Sequence, residues 1–523
     1  MGYFATSANV TLLVTSLESG TQDGPLKSAV GLNGIAEIGS IALLVLTILL
    51  IHGYHPFAED AGVYIAGVLK LFDPRLYQHD ASFVLANTHL SLFAHIGAFV
   101  LRTTHISLEW LLLIAHLASV FLFLVACRAL ARRVFPSPAA RWSPILLAAA
   151  FFTLPVAGTT VMLMDPYVTA RSFSMPLCIF ALAEAIDRRW TRAGVFLITA
   201  AIMHPLITIY VGAFITLFVL VDQGRMRVAL TLAAFSILVC AVVYAATIHA
   251  PVDPAWRKAV LSRRSLFISE WRWYECLGLA LPLLFYAVAF RRLGAHILIG
   301  KLCFVALILG TSAALAALLF VHPSNLNFFL TRLQLLRAFH MVYLVGIILL
   351  GGFIGQALWT RRRLAVCAIF AAAALAMFVT DRLTYPASDH IELPGYAPRN
   401  PWEQAFLWIH ANAPRDAVFA ADPDLVLLTG EDGQSFRLIS GRSLLADFKD
   451  EGIALVFPEV APQWAAEYNA QRGIDQLSDI ERVARLGTLG ATWVLLSRDN
   501  NTSLPCAYRN AAAQVCPLVI AKK

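Results

Sequence analysis

Apolar residues fill this chain in long uninterrupted runs that are separated by short polar loops. Most runs approach the roughly 20 residues that an α-helix needs to cross a bilayer. The pattern therefore predicts an all-α polytopic membrane domain of about eleven spans. The predicted spans cover residues 35–52, 107–127, 143–161, 173–187, 193–204, 205–221, 228–248, 273–290, 298–321, 338–358 and 364–380.

Two of these runs are too short to cross a bilayer comfortably. Residues 193–204 and 205–221 meet at the His204-Pro205 step, which predicts a broken pair of half-spanning helices. The apolar run at 89–101 is also short and carries polar side chains, so we interpret it as a helix lying on the outer surface.

The pattern changes after the last span. Residues 382–523 are polar and carry mixed signals, which predict a small exported α/β domain. NPWEQAFLWIHANAP predicts an amphipathic helix, and residues 477–486 predict another. Short strands are predicted for AVFAA at 417–421, FRLIS at 436–440 and TWVLLS at 492–497.

Composition supports a membrane protein. Hydrophobic residues make up 59% of the 523 positions and charged residues only 14%, against about 25% charged in soluble domains. Most of the net charge of +7 lies in short loops, where membrane topology explains it. The basic balance therefore does not indicate a nucleic-acid partner.

Basic residues in the loops also set the predicted orientation. With the N-terminus inside, dense Arg clusters such as Arg132-Arg133 fall on the inner side, as the positive-inside rule requires. Residues 1–34 are then a cytoplasmic segment, 35–381 the transmembrane domain with a first outer loop at 53–106, and 382–523 the exported domain. The spacing of Cys506 and Cys516 in that domain suits a disulfide in an oxidising compartment.

Two adjacent carboxylates follow the first span, within GYHPFAEDAGVY. Carboxylates at the edge of the hydrocarbon are costly and usually functional. We predict that Asp60 or Glu59 serves as a general base for a substrate whose tail lies in lipid, with Tyr64 nearby as a substrate contact. Asp60 also suits the cap of a helix that starts at Ala61, and the two roles are compatible.

A second acidic site lies in the loop MLMDPYVTARS after the third predicted span. Asp165 and Arg171 fall at the same predicted membrane edge as Asp60, although Asp165-Pro166 also suits a simple turn. Two acidic sites on separate loops can share a divalent cation such as Mg²⁺ or Mn²⁺, which makes Asp60 and Asp165 candidate metal ligands, or they can divide base and positioning roles. No organic cofactor is predicted.

Basic residues in two outer loops break the positive-inside pattern. Arg side chains match phosphate oxygens bidentately, so these residues predict a site for a lipid phosphate or pyrophosphate, with contact to anionic headgroups as the alternative. His204, at the helix break, is a further candidate phosphate contact, and a buried structural role suits it equally. The basic candidates in the two loops are Arg257, Lys258, Arg263, Arg264, Arg332 and Arg337.

Other signals are weak. Arg442, Asp447 and Lys449 in GRSLLADFKD are interpreted as surface charge or a salt bridge. The sequence contains no GxSxG, HExxH, P-loop or GxGxxG pattern, so hydrolase, nucleotide-driven pump and dehydrogenase functions lack support.

Taken together, these features resemble the GT-C-type glycosyltransferases, integral membrane enzymes that take sugar from polyprenyl-phosphate or pyrophosphate donors. AED at 58–60 matches the family's acidic residues in the first outer loop, and VACRALARRVF at 125–135 resembles the inner motif that follows. Asp165-Pro166 resembles an Asp of protein mannosyltransferase-like and aminoarabinose transferase-like members. Met203-His204-Pro205 stands where many members carry a Lys-Gly-Pro-like step.

The resemblance implies sugar transfer from a polyprenyl-linked donor to a glycan, lipid or protein acceptor on the outer face of a bacterial inner membrane. It implies an inverting displacement with a carboxylate base and Arg residues on the departing phosphate. Two other functions remain open: a lipid or solute transporter or flippase, which broken helices also suit, and a non-catalytic partner in envelope polysaccharide assembly.

Overall fold

The apolar runs form a bundle of α-helices in this computed structural model, which describes residues 30–359, 361–428, 430 and 432–519. Most of the predicted cytoplasmic segment 1–34 lies outside the described residues. The helices that precede the C-terminal domain are α1 (Val30–His52), α2 (Ala61–Phe72), α3 (Ala81–Ala86), α4 (Phe93–Thr104), α5 (Leu108–Val134), α6 (Pro138–Ala150), α7 (Ala170–Ile186), α8 (Trp190–Met203), α9 (Pro205–Asp222), α10 (Met226–Thr247), α11 (Pro254–Ser262), α12 (Trp273–Leu293), α13 (Leu298–Phe320), α14 (Phe328–Leu333), α15 (Ala338–Leu358) and α16 (Arg363–Thr384).

Several of these helices fit a multi-pass membrane protein. Among the residues that the structure describes, eight helices are long and apolar enough to cross a membrane, and one of them is the continuous unit Phe328–Leu358 that joins α14 to α15. The other predicted spans correspond to shorter helices: α6 has 13 residues, α7 has 17 and α8 has 14.

The predicted span at 143–161 is only partly helical. Helix α6 starts earlier, at Pro138, and ends at Ala150. The chain then forms a small hairpin in which Pro155 pairs with Met162. Pro155 lacks a backbone donor and Gly158 packs directly against the Trp271 ring, so this segment suits a tight turn better than a helix. The turn leads to Asp165.

The helix break at His204-Pro205 is present as predicted, but the prediction that both helices are half-spanning is wrong for α9, whose 18 residues are long and apolar enough to cross a membrane. Helix α8 ends at Met203, α9 begins at Pro205, and His204 between them adopts an extended conformation. Pro205 occupies the first turn of α9, where its missing N–H costs nothing. The run at 89–101 is likewise helical, as α4, and turns by 104° from the preceding segment Ala81–His89.

The helices pack closely where glycines allow it. Helix α15 presents Gly351, Gly352 and Gly355 to the α5–α6 region. A Cβ added at Gly352 would lie 1.9 Å from Cζ of Phe135, and one at Gly351 would lie 2.6 Å from Cα of Pro144. Small residues at these positions therefore let the two helices approach.

The C-terminal domain is a small α/β unit. Its strands are β1 (Val418–Ala420), β2 (Ser443–Leu444), β3 (Trp493–Ser497), β4 (Tyr508–Arg509) and β5 (Ala513–Pro517), in the order β2-β1-β3-β5-β4. Strand β1 runs parallel to β2 and β3, whereas β5 is antiparallel to β3 and β4. The helices are α17 (Pro401–Asn412), α18 (Phe436–Ser440), α19 (Glu451–Val456), α20 (Ala461–Gln471) and α21 (Asp479–Gly487). Cys506 and Cys516 form a disulfide at this sheet.

Two local predictions for this domain have different outcomes. The helix predicted from NPWEQAFLWIHANAP is confirmed as α17, with the Asn400 side chain accepting a hydrogen bond from the N–H of Trp402 at 2.8 Å. The strand predicted for FRLIS is wrong, because these residues form the short buried helix α18. A five-residue apolar run does not distinguish strand from buried helix, and here the helix carries Arg437 toward the first loop.

Arg437 joins the C-terminal domain to the first loop through buried charge. Its Nη2 contacts Asp450 Oδ2 at 2.8 Å, and its Nε donates to Asp80 Oδ2 in the first loop. All three side chains are at most 9% exposed. The Tyr77 hydroxyl also donates to the Arg437 carbonyl at 2.8 Å. The two parts of the chain are therefore tied by a compensated buried network.

Replacing this guanidinium should destabilise the whole protein. We expect Arg437→Met to lower the free energy of unfolding by about 3–5 kcal/mol, because Asp80 and Asp450 would remain buried without a counter-charge. Thermal unfolding of the detergent-purified protein measures the effect. The matched control is Arg485→Met, which removes an exposed pair with Glu481 and should cost under about 1 kcal/mol. Equal losses in the two variants would contradict this account.

Candidate functional site

A cavity of about 580 Å³ lies where the first loop, the α8–α9 break and the α14–α15 connection meet helix α19 of the C-terminal domain. One part of its wall is apolar and comes from the helix break and α14. The other part is strongly polar. The apolar wall includes Met203, Pro205, Leu206, Ile209, Phe329 and Leu333, and the polar wall includes Asp60, Tyr64, Arg171, His204, Arg263, Arg332, Arg337 and Lys449.

Asp60 is held by Arg171 rather than by the helix that follows it. Helix α2 begins at Ala61 as predicted, but the Asp60 side chain makes no cap hydrogen bond. Instead, Nη2 of Arg171 lies 3.0 Å from Asp60 Oδ2 and 3.0 Å from Asp165 Oδ2. Asp165 is buried and also accepts from the Thr169 hydroxyl at 3.1 Å. One guanidinium thus bridges the two predicted acidic sites.

Lys449 enters the same charge cluster from the C-terminal domain. Its Nζ contacts Glu59 Oε2 and lies 3.6 Å from Asp60 Oδ1. The Lys449 side chain is only 16% exposed, so of the two predicted alternatives the salt bridge is confirmed and the surface charge is wrong. Glu59 adopts a left-handed backbone conformation with φ of 51°, and its carboxylate is taken up by Lys449. Glu59 does not line the cavity, whereas 31% of the Asp60 side chain stays accessible there.

The charges around Asp60 set its protonation. Burial would raise the pKa of the Asp60 carboxyl, but the Lys449 and Arg171 charges outweigh burial and hold that pKa below its usual value. Burial would lower the pKa of Lys449, but Glu59 and Asp60 raise it above its usual value. For Asp165, burial dominates and raises the pKa, despite Arg171. Asp60 is therefore an ionised carboxylate at neutral pH.

His204 contacts the cavity as a neutral side chain. Its Nδ1 accepts the N–H of Ile207 at 3.4 Å at the start of α9, which leaves the proton on Nε2. Nε2 lies 3.4 Å from the Tyr64 hydroxyl. Burial and the nearby Arg171 and Arg337 charges lower the pKa of His204 to about 3. Tyr64 and His204 therefore offer polar, uncharged contacts to a ligand.

Three of the predicted outer-loop arginines line the cavity. Arg263 is paired, with its Nε 2.8 Å from Glu451 Oε1. Arg332 donates to the Val456 carbonyl at 2.5 Å and packs over the Phe328 ring. Arg337 donates from Nε to Gln334 Oε1 at 2.9 Å. Within the described part of the chain, neither Arg332 nor Arg337 has a carboxylate partner.

The other predicted basic residues lie away from this cavity. Arg257 is exposed on α11, and Lys258 stacks on the rings of Trp464 and Tyr468 in α20. Arg264 pairs with Glu275 at 2.5 Å. The four candidates Arg257, Lys258, Arg263 and Arg264 follow one another on the short helix α11 and the turn after it, so their side chains point in different directions. The structure therefore separates Arg263 from Arg257, Lys258 and Arg264.

The arrangement does not fit the divalent cation expected between Asp60 and Asp165. Arg171 occupies the space between their carboxylates, and Asp165 is 4% exposed. Across the described ranges, no group of three or more His, Cys, Asp or Glu side chains is placed to hold a metal ion. The charge partner of both carboxylates is a guanidinium.

The cavity carries an excess of positive charge beside an apolar wall. Five cationic side chains line it, and Asp60 is the one carboxylate among its lining residues in the described part of the chain. Arg332 and Arg337 both line it, and neither has an acidic partner among the residues that the structure describes. Such a site suits an amphiphile with an anionic, phosphate-like head and an apolar tail.

Sequence reasoning missed Lys449 because its partners are 390 and 389 positions away. A lysine in a loop with other charged residues is usually solvated. Nothing in the local sequence GRSLLADFKD predicts that Lys449 is buried. The apolar residues around it, including Phe448 and the α19 run Ile453–Leu455, were the only local hint that the segment packs against something.

Comparison with known proteins adds one match. Residues 400–467 are similar to a family described as a domain of unknown function (DUF6798), and this segment contains Arg437 and Lys449. No curated protein matches the chain.

Arg332 and Arg337, which have no carboxylate partner among the described residues, should bind an amphiphilic phosphate. We expect dodecyl phosphate to raise the melting temperature of the purified protein, and the double variant Arg332→Met/Arg337→Met to weaken its apparent affinity by about tenfold or more, since each charge-assisted contact is worth about 1.5–3 kcal/mol. The control is Arg257→Met, which should bind as the wild type does. An equal loss in both variants would mean general attraction rather than this site.

Proposed function

We propose that this protein is a glycosyltransferase that moves a sugar from a polyprenyl-phosphate or pyrophosphate donor to an acceptor hydroxyl. The observation that carries the proposal is the convergence of Asp60 with Arg263, Arg332, Arg337 and Lys449 on one cavity that has an apolar wall. These residues are far apart in the chain. A carboxylate beside a phosphate-binding wall is what transfer from a lipid-linked donor requires.

The chemistry assigns separate tasks to the two sides of the cavity. Asp60 accepts the proton of the acceptor hydroxyl while the hydroxyl oxygen forms a bond to the anomeric carbon of the sugar. The bond from that carbon to the donor phosphate breaks, and the phosphate leaves with the electron pair. Arg332 and Arg337 stabilise the charge that develops on it. A single displacement of this kind inverts the anomeric centre.

We further propose that the reaction takes place on the outer face of a bacterial inner membrane. The basic loop clusters support an inner N-terminus. The disulfide between Cys506 and Cys516 supports an oxidising compartment for the C-terminal domain. Placing this domain outside puts Lys449 and the cavity on the same side of the membrane as the disulfide.

Removal of the Asp60 carboxylate should slow transfer by orders of magnitude. We expect Asp60→Asn to lower kcat by about 10²–10⁴-fold, because general-base catalysis contributes that much. Glu59→Gln should cost far less, since Glu59 contacts Lys449 and does not line the cavity. The measurement is transfer from labelled polyprenyl-phosphate sugars to a panel of acceptors by the purified full-length protein. Full activity of Asp60→Asn would refute the assignment.

Lys449 should control the acid limb of the pH profile. Because the pKa of Asp60 is held low, wild-type kcat/KM should not fall between about pH 7 and pH 5. Lys449→Met removes one of the two main positive charges and leaves Glu59 without its partner, so the pKa of Asp60 should rise and kcat/KM should begin to fall at a higher pH than in the wild type. Lys449→Arg keeps the charge and should keep the wild-type limb. An unmoved limb in Lys449→Met would show that Lys449 does not tune this carboxylate.

A further inference from the structure

The loop that joins β3 to β4 in the C-terminal domain carries a pattern that the proposed transferase site does not use. Residues 500–503 read Asn-Asn-Thr-Ser, which contains two overlapping N-x-[ST] triplets. This triplet is the acceptor sequence for N-linked glycans, in which the asparagine side chain receives the sugar. One triplet begins at Asn500 and the other at Asn501, so the sequence alone leaves two candidate acceptors.

The structural context of this loop suits an acceptor. Residues 498–507 form no helix or strand, and six of the ten are exposed. The disulfide between Cys506 and Cys516 ties the end of the loop to β5 and supports an oxidising compartment. An N-x-[ST] triplet is meaningful in a surface loop of an exported domain. The inference therefore rests on the outer placement proposed above for this domain, and it does not rest on the transferase activity.

Asn500 is engaged within the domain and is not suited to modification. Its Nδ2 donates to Asp475 Oδ1 at 3.0 Å and also to the Asp475 carbonyl. Its Oδ1 accepts from Nη2 of Arg482 at 2.8 Å, and Arg482 is buried. Attachment of a sugar to Nδ2 consumes one of its two protons, so at least one contact with Asp475 would be lost.

Asn501 is available for modification. Its side chain is exposed and has no hydrogen bond or ion pair to any residue that the structure describes. The hydroxyl of its triplet, on Ser503, donates to Asp479 Oδ2 at 2.7 Å. Ser503 is exposed, so water can replace this contact at little net cost when an enzyme takes up the hydroxyl. Asn501 is not among the residues that line the Asp60 cavity.

We propose that Asn501 is the attachment site of an N-linked glycan on the C-terminal domain. The co-substrate is an oligosaccharide carried on a lipid pyrophosphate, and a separate oligosaccharyltransferase supplies the catalytic groups. Nδ2 of Asn501 forms a bond to the anomeric carbon of the sugar and gives one proton to a base of that enzyme. The bond from the anomeric carbon to the pyrophosphate oxygen breaks, and the pyrophosphate leaves with the electron pair.

Co-expression of the full-length chain with a bacterial oligosaccharyltransferase and its lipid-linked oligosaccharide tests the proposal, in cells that otherwise lack both. After reduction, trypsin releases both candidate asparagines in one peptide, residues 499–509. Electron-transfer fragmentation in a mass spectrometer assigns the glycan to one of the two. We expect the glycan on Asn501. A glycan on Asn500, or an unmodified peptide, would overturn the proposal.

Two variants form a matched pair, because each removes one hydroxyl that donates to Asp479 at 2.7 Å. Ser503→Ala destroys the triplet of Asn501 and should lower glycan occupancy by about tenfold or more, since a site built to bind a hydroxyl rejects an analogue without it. Thr502→Ala destroys only the triplet of Asn500 and should keep the wild-type occupancy. Equal occupancy in the two variants, or the reverse order, would contradict the assignment to Asn501.

A second measurement separates the acceptor loop from the membrane orientation. The purified full-length protein in detergent is incubated with the same enzyme and donor, so that both faces of the protein are accessible. Modification in cells and in detergent supports the proposal, whereas modification in detergent alone would place the C-terminal domain inside and overturn it. Asp60→Asn should carry the same glycan occupancy as the wild type, which keeps this test distinct from a failure of the proposed sugar transfer.

Discussion

Charge compensation inside a low-dielectric environment is the constraint on which this structure depends. Glu59, Asp60 and Asp165 lie at the junction of apolar helices, where an uncompensated carboxylate would cost several kcal/mol. Arg171 bridges two of them and Lys449 covers the third. Because Lys449 belongs to the C-terminal domain, the charge balance of the first loop requires that domain to dock. Arg437 repeats the arrangement a short distance away, with Asp80 and Asp450.

The charge balance is incomplete in the cavity beside Asp60. Arg332 and Arg337 have only neutral hydrogen-bond partners in the described part of the chain, beside an apolar wall and an ionised Asp60. The guanidinium groups of Arg332 and Arg337 are therefore available to an anionic ligand. The apolar wall of the same cavity suits a lipid tail. The proposed sugar transfer uses this asymmetry, because its leaving group is an anion and its nucleophile needs a base.

The first loop lines two cavities of different composition. Asp60, Val63 and Tyr64 line the cavity that carries five cationic side chains. Tyr54, Pro56 and Phe57 line a second cavity, whose described lining includes four carboxyl residues and no Lys or Arg. A backbone hydrogen bond from the N–H of His55 to the carbonyl of Pro166 fixes this loop next to the Asp165 turn at 3.1 Å. Position within one short loop thus decides which electrostatic environment a side chain meets.

The sequence alone determined what depends on neighbours along the chain. Run length and apolarity predicted most of the apolar helices, the His204-Pro205 step predicted the helix break, and the amphipathic pattern of NPWEQAFLWIHANAP predicted α17. It also placed Asp60, Arg263, Arg332 and Arg337 among the candidates for one site. It could not rank Glu59 against Asp60, exclude Arg257 and Arg264, or bury Lys449. Those outcomes depend on which way each side chain points after distant segments pack, and on the cost of leaving a buried charge unpaired, and neither is encoded in local periodicity.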